Sequence, residues 1–179
     1  MSGDLSCRCG AVHLTISGEP IAMPACYCTS CRTASARLAA LSAAPVPADA
    51  SGGTAFRMYR KDRVVIRGQE HLVGWLLTPQ SKTRRVVAGC CNTPLFAEFS
   101  GGHWLSLYNG LWPDAAGFRP RLLTQTGDAP DPARLPAGVP HGAMTTVGFF
   151  ARLFGAWAAM GFRAPKVEVP RVEVFPPAQ

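Results

Sequence analysis

Seven cysteines are the residues of this chain whose type and spacing most strongly suggest chemistry. They fall into three clusters, with none left over: Cys7-Arg8-Cys9-Gly10, Cys26-Tyr27-Cys28-Thr29-Ser30-Cys31 and Gly89-Cys90-Cys91-Asn92-Thr93-Pro94. Zinc takes four ligands in a tetrahedron, and cysteines one or two residues apart on a tight turn reach one ion without strain. The spacing therefore predicts one or two zinc ions held by thiolates, with Gly10 suited to one such turn.

Disulfides and buried free cysteines are the competing interpretations of these clusters. A lone cysteine is often a small buried hydrophobe, but seven in three tight groups do not fit that role. Two cysteines separated by one residue bridge poorly with each other. The odd cysteine count and the absence of an export signal in the first five residues favour a reducing cytoplasm, where such clusters bind metal.

The rest of the composition narrows the classes of function. The formal net charge is +7, from 18 Lys and Arg against 11 Asp and Glu, which favours an anionic partner. The basic residues are scattered and form no long run, which argues against a nucleic-acid-binding protein. No Ser-His-Asp arrangement, phosphate loop or dinucleotide fingerprint is visible. The four histidines lie outside any motif: His13, His71, His103 and His141.

The elements that must position the cysteines are mostly strands. Gly (18) and Pro (16) are abundant and charged residues make up only 16%, which is typical of a loop-rich, mainly β protein. Alternation over residues 11–16 predicts a strand that buries Val12, Leu14 and Ile16. Further strands are predicted over residues 56–59, 63–67, 71–77, 84–88 and 104–108, with a hairpin turn at Gly68-Gln69.

Two helices and an extended tail complete the prediction. A helix over residues 32–44 is ended by Pro45 and Pro47. The apolar residues 143–162 predict a second helix, which Arg152 and three glycines make unsuitable as a membrane span. We expect it to pack on the domain or on a second copy of the chain, with membrane-surface contact as the alternative. Residues 166–174 alternate and predict an extended or edge strand.

The three cysteine motifs, in this order over residues 5–96, resemble the Gfa-like family, which is named after the glutathione-dependent formaldehyde-activating enzyme. The resemblance implies a mainly β fold of bent sheets around zinc, called a β-tent. Residues 1–110 would then be the zinc-binding β domain. Residues 111–179 would be an extension of loop, apolar helix and extended tail packed on the same domain.

The resemblance also implies two metal positions. A structural zinc would be bound by Cys7, Cys9 and Cys91, and a catalytic zinc by Cys26, Cys28 and Cys31. With three protein ligands, the catalytic ion keeps a fourth position open for a thiol or water.

The chain departs from the family pattern at several positions, and these differences leave two possible roles for Cys90. Ala88 and Asn92 replace a cysteine and a glycine of the third motif, Tyr27 replaces a histidine of the second, and Cys90 is additional. The double cysteine is similar to an uncharacterised branch of the family. Cys90 either completes the structural site, which requires a sharp local turn, or closes the second cluster as a four-cysteine site without an open position.

The activity that the resemblance implies is that of a carbon–sulfur lyase, which joins glutathione and formaldehyde to give S-hydroxymethylglutathione. The partners would be a small thiol and a small aldehyde. Four arginines are candidates to pair with the carboxylates of glutathione: Arg32, Arg37, Arg84 and Arg85. The alternatives are a non-catalytic, zinc-stabilised binding or scaffold module, and a thiol-redox or metal-storage role.

Overall fold

The computed structural model of the chain describes residues 3–41, 48 and 51–176. Three strands form a small antiparallel sheet in the order β1 (Gly3–Ser6), β2 (His13–Ile16) and β5 (Val64–Arg67). Eight strands form the main sheet, in the order β10 (Leu122–Thr124), β3 (Pro24–Cys26), β4 (Thr54–Arg60), β9 (Trp104–Tyr108), β8 (Thr93–Phe99), β7 (Thr83–Ala88), β6 (Leu72–Leu76) and β11 (Arg171–Val174). Two helices are present in the described residues, α1 (Thr29–Ala39) and α2 (Ala143–Ala158). The chain is therefore mainly β, as predicted.

The main sheet is covered on both faces. Leu14 of β2 and Leu107 of β9 share one hydrophobic cluster, in which the small sheet packs on the main sheet. Leu38 of α1 and Leu153 of α2 belong to a second cluster with strand residues such as Phe56. Successive side chains of a strand point to opposite faces, so one face of the main sheet meets the small sheet and the other meets the helices.

The predicted hairpin at Gly68-Gln69 is wrong. The strands on either side of this turn belong to different sheets, because β5 pairs with β2 whereas β6 pairs with β7 and β11. Gly68 has a φ of 77° and lies so close to the carbonyl oxygen of Ala11 that a Cβ atom would clash with it. The glycine thus allows the chain to cross from one sheet to the other where only hydrogen fits.

The helices differ from their predicted bounds. Helix α1 begins three residues earlier than predicted, because Cys28 caps it, and the predicted end at residues 42–47 lies outside the described residues. Helix α2 begins at Ala143 as predicted and ends at Ala158, shortly before positive φ angles at Gly161 and Phe162.

The C-terminal part of the chain holds the predicted extended tail and the apolar helix α2. Of the predicted extended segment 166–174, Arg171–Val174 forms β11 at the edge of the main sheet, paired in parallel with β6. Among the described residues, neither helix combines the length and the hydropathy that crossing a bilayer requires.

Candidate metal centres and cavity

The first candidate centre brings together four cysteines from the two ends of the family motif set. The Sγ atom of Cys9 lies 3.5 Å from that of Cys7 and 3.2 Å from that of Cys90. Cys90 is also 3.9 Å from Cys7 and 4.0 Å from Cys91. Cys7 is buried in the core between the sheets, whereas Cys9 and Cys90 are exposed. Cys90 therefore lies in the first cluster and away from the second.

Two tight turns present these four thiols. In the first, the Cys7 amide donates to the Val12 carbonyl at 2.9 Å and the Gly10 amide donates to the Cys7 carbonyl at 3.0 Å. In the second, the Cys91 amide donates to the Ala88 carbonyl at 3.1 Å, and Asn92 adopts a φ of 54°. This is the sharp turn that adjacent cysteines need in order to face one point.

Hydrogen bonds tie the two turns together. The hydroxyl of Thr93 accepts the Arg8 amide at 3.2 Å and lies 3.1 Å from the Cys91 Sγ atom. Burial opposes ionisation of Cys91, but hydrogen bonds with Thr93 and Cys9 outweigh it and lower the pKa of the Cys91 thiol to about 6. A tetrahedron with zinc–sulfur bonds of about 2.3 Å has edges of about 3.8 Å. The four sulfur separations given above, 3.2–4.0 Å, lie around that value, and all four sulfur atoms lie within 4.8 Å of one another, so the cluster fits a zinc ion.

The second candidate centre holds three cysteines at the start of α1. Cys26 ends β3, Cys28 is the N-cap residue of α1 and Cys31 lies in its first turn. All three thiols are half-buried, and their sulfur atoms lie within 4.8 Å of one another. The Cys31 amide donates to the Cys28 Sγ atom at 3.3 Å. The positive end of the helix dipole therefore points at the cluster, where it stabilises thiolates.

Ionisation of these three thiols is interdependent. Hydrogen bonds from Cys28 and Cys31 lower the pKa of Cys26 to about 2. The pKa values of Cys28 and Cys31 are raised, chiefly by hydrogen bonding with Cys26 and, for Cys31, with Cys28. One thiolate thus forms readily, and further thiolates at this spacing need a cation between them. A soft donor set of this kind suits a zinc ion.

Neighbouring residues hold the second centre in place without joining it. Tyr27 is buried against Ala25 and Leu123, and its hydroxyl is 2.8 Å from that of Ser51. Tyr27, which stands where the family pattern has histidine, therefore packs against neighbouring residues and is not a member of the cysteine cluster. The carboxylate of Asp128 accepts hydrogen bonds from the amide and the hydroxyl of Thr29, at 3.0 and 3.2 Å. The loop after β10 is thereby fastened to the start of α1.

The three-cysteine centre opens onto a cavity of about 480 Å³ between the main sheet, α1 and α2. Arg85 lies in the wall of this cavity and is buried. Its guanidinium donates to the Ser30 hydroxyl at 2.6 Å and to the Thr83 carbonyl at 3.0 Å. Among the described residues, no carboxylate forms an ion pair with Arg85. A buried cation is stabilised by nearby negative charge, which the Cys26 thiolate in the same wall or an acidic group of a ligand can supply.

The other predicted arginines lie elsewhere. Arg84 points to the opposite face of β7 and pairs with the carboxylate of Glu98 at 2.6 Å. Arg32 donates to the Asp128 carbonyl at 2.8 Å, and Arg37 lies over the Phe175 ring. None of these three lines the cavity, and neither cysteine cluster contains a histidine.

Tyr108 and Phe149 are among the residues of the cavity wall that were not predicted from the sequence. Tyr108 ends β9, and burial raises the pKa of its hydroxyl, against the influence of Arg85. Phe149 comes from α2. The sequence contains no local signal for either, because the cavity forms only when distant elements pack together.

The comparison with known protein families agrees with these cysteine motifs. The sequence model of the glutathione-dependent formaldehyde-activating enzyme family matches residues 3–124. A Rhodobacter sphaeroides protein whose crystal structure comes from structural genomics shares 17% identity, over 66% of this chain and 93% of that one, with a TM-score of 0.44. No curated protein matches the chain significantly. Since the family model covers well over half of the sequence, the chain belongs to the glutathione-dependent formaldehyde-activating enzyme family.

Proposed function

We propose that the protein is a zinc-dependent carbon–sulfur lyase that makes and breaks adducts between a thiol and a small aldehyde. The family's example is the joining of glutathione and formaldehyde into S-hydroxymethylglutathione. The observation that carries this proposal is a difference between the two cysteine clusters. Four thiols converge in the first, whereas three thiols face a cavity in the second.

The two clusters then have different roles. Four protein ligands complete the coordination of zinc and are typical of structural sites. We assign this role to Cys7, Cys9, Cys90 and Cys91, with Cys90 as the fourth ligand. Three protein ligands leave one position of the tetrahedron open. We assign Cys26, Cys28 and Cys31 to a catalytic centre of this kind, with its open position toward the cavity.

The reaction needs a thiolate and a polarised carbonyl group. A zinc ion held by Cys26, Cys28 and Cys31 would supply positive charge that favours the deprotonated form of a substrate thiol. The substrate sulfur forms a bond to the carbonyl carbon, and the proton given up by the thiol ends on the former carbonyl oxygen. The reverse reaction breaks the carbon–sulfur bond and returns the proton to sulfur.

Residues of the chain direct this chemistry. The Tyr108 hydroxyl is protonated at neutral pH, as an ordinary tyrosine is, and burial raises its pKa further. It is therefore able to donate a hydrogen bond to an oxygen that gains negative charge. Arg85 provides the cation to orient an acidic group of the substrate. The N-terminus of α1 stabilises the negative charge of the thiolates.

Exchange NMR with ¹³C-labelled formaldehyde and glutathione tests the proposal. The purified full-length protein should accelerate exchange between free formaldehyde and the adduct. Replacing Cys31 with serine should abolish the acceleration, whereas Phe150→Ala, at an exposed position of α2, should leave it unchanged. Absence of acceleration by the zinc-loaded protein, both with glutathione and with an aromatic thiol in its place, would favour the non-catalytic scaffold module instead. The reduced thiols that this chemistry needs are consistent with the cytoplasm as the proposed compartment.

A further inference from the structure

The charges in the cavity differ from those that glutathione would require. Among the described residues lining the cavity, Arg85 is the one cation and none is Asp or Glu, so the other charge in the wall comes from the cysteine thiolates. Glutathione has two carboxylates and one ammonium group. Arg85 can pair with one of the two carboxylates, but the described wall offers no second cation and no carboxylate for the ammonium group, and burying a charge unpaired costs free energy.

Five aromatic side chains form one part of the cavity wall, beside several Ser and Thr residues. Phe56 and Tyr108 pack with their ring centroids 5.1 Å apart, and Phe99 and Trp104 lie parallel with centroids 6.4 Å apart. Phe149 adds a further ring. A cavity of about 480 Å³ is in the range that accepts drug-sized ligands, so chemistry rather than size decides which thiol enters.

The C-terminal helix supplies part of this wall. Phe149 belongs to α2, which lies beyond residues 3–124 that the family model matches. The helix is held on the sheet by the buried Leu153 and by Trp157, whose ring stacks on His103 at 5.9 Å. The aromatic wall above the family's cysteine cluster is therefore completed by a segment outside the matched region.

We infer that the thiol substrate of this protein carries an aromatic or bulky apolar substituent and a single acidic group, and that Phe149 and Arg85 select for these two features. This inference rests on the proposed function of the three-cysteine centre. The thiol sulfur would lie at the cysteine cluster, the acidic group at Arg85 and the apolar substituent against the rings of Phe56 and Phe149.

Three synthetic thiols separate the two features. The compound 2-mercapto-3-phenylpropanoate has both the ring and the carboxylate, 2-mercaptopropanoate lacks the ring, and 2-phenylethanethiol lacks the carboxylate. Calorimetric titration of the zinc-loaded full-length protein with each of them, and with glutathione, measures binding directly. We expect the complete compound to bind about tenfold to a hundredfold more tightly than either truncated compound, since burying a ring or pairing a buried charge is worth this much.

Adjacent phenylalanines of α2 provide the matched control. Phe149 lines the cavity, whereas Phe150 is 60% exposed. Phe149→Ala should weaken binding of 2-mercapto-3-phenylpropanoate about tenfold and leave that of 2-mercaptopropanoate unchanged, and Phe150→Ala should alter neither. Arg85→Met should reduce the affinity for the complete compound to that for 2-phenylethanethiol. Circular dichroism checks that each variant is folded. If a variant fails to fold, the titrations of the wild-type protein with the four thiols still test the inference.

The outcomes separate this inference from the proposed function. If glutathione binds as tightly as the aromatic thiol acid and exchanges with formaldehyde, the lyase proposal stands and the inferred substrate class is wrong. If none of the four thiols binds, both are wrong. Equal effects of Phe149→Ala and Phe150→Ala on binding would also overturn the role of Phe149.

Discussion

The two cysteine clusters should contribute unequally to stability, because they close loops of very different length. Cys7 and Cys90 are 83 residues apart in the sequence, whereas Cys26 and Cys31 are only five apart. A link across a loop removes conformational entropy from the unfolded chain in proportion to the logarithm of loop length. By this relation, the long loop is worth about 4.5 kcal/mol and the short loop about 2 kcal/mol.

A matched pair of double variants tests this difference. Cys7→Ser with Cys9→Ser releases the N-terminal side of the first cluster, and we expect it to lower the free energy of unfolding by about 4.5 kcal/mol. Cys26→Ser with Cys28→Ser releases the second cluster. The hydroxyl of serine at position 28 is able to keep the helix cap that the Cys28 sulfur provides, since serine is a favoured N-cap residue, so the loss should stay near 2 kcal/mol.

Urea unfolding of the zinc-loaded proteins, followed by circular dichroism, measures both free energies. The expected losses are a large part of the ~5–15 kcal/mol that stabilises an ordinary domain, so the first variant should unfold at much lower urea. Equal losses in the two variants, or a larger loss from the second pair, would refute the assignment of the four-cysteine cluster as the structural one.

Three further predictions concern the surroundings of the site. Leu153→Ala should lower the free energy of unfolding, measured with urea, by about 2–5 kcal/mol. Val147→Ala, at an exposed position of the same helix, should lower it by less than about 0.5 kcal/mol. Equal effects would mean that α2 is not packed on the sheet. Glu98→Gln should cost about 3 kcal/mol in the same assay, because its buried carboxylate pairs with Lys61 and Arg84. Burial lowers the pKa of His103, so the stability of the fold should fall as the pH drops below about 6.5, where the histidine of the unfolded chain takes up a proton. In thermal unfolding, the His103→Phe variant should lose this pH dependence. An unchanged pH profile in the variant would contradict the role of His103.

Local patterns predicted a good part of the fold. The alternation in β2 is confirmed, with Leu14 and Ile16 buried and His13 exposed, and β9 has the predicted bounds. The ordered cysteine motifs predicted the family, which the match over residues 3–124 confirms. These predictions were correct because a period of two residues and a short ligand spacing are both visible in consecutive residues of the sequence.

Strand β8 was missed because Pro94 is typical of a turn. Pro94 lies opposite Val87, next to an irregularity in register between Val86 and Val87. At such a bulge a ladder hydrogen bond is already lost, so proline is tolerated there. The short strands β3 and β10 and their parallel pairing were missed for another reason, since partners far apart in sequence leave no local pattern.

The sequence predicted which cysteines cluster, but not the residues that surround the clusters. The spacing of the cysteines indicated zinc binding, and the family resemblance implied the two groups, with Cys90 left open between them. The turn at Asn92 that brings Cys90 beside Cys9 depends on a positive φ angle, which the residue type does not specify. The cavity needed α2 to pack near Arg85. The boundary between a zinc-binding domain over residues 1–110 and an extension over residues 111–179 stays a prediction.

The most direct test of the central claim is the zinc content per chain, measured by mass spectrometry on protein purified without chelator, with free thiols counted in the same sample. The two clusters predict two zinc ions per wild-type chain and one in the Cys26→Ser, Cys28→Ser variant. A single ion in both proteins, or cysteines joined as disulfides without metal, would contradict a zinc centre at Cys26, Cys28 and Cys31.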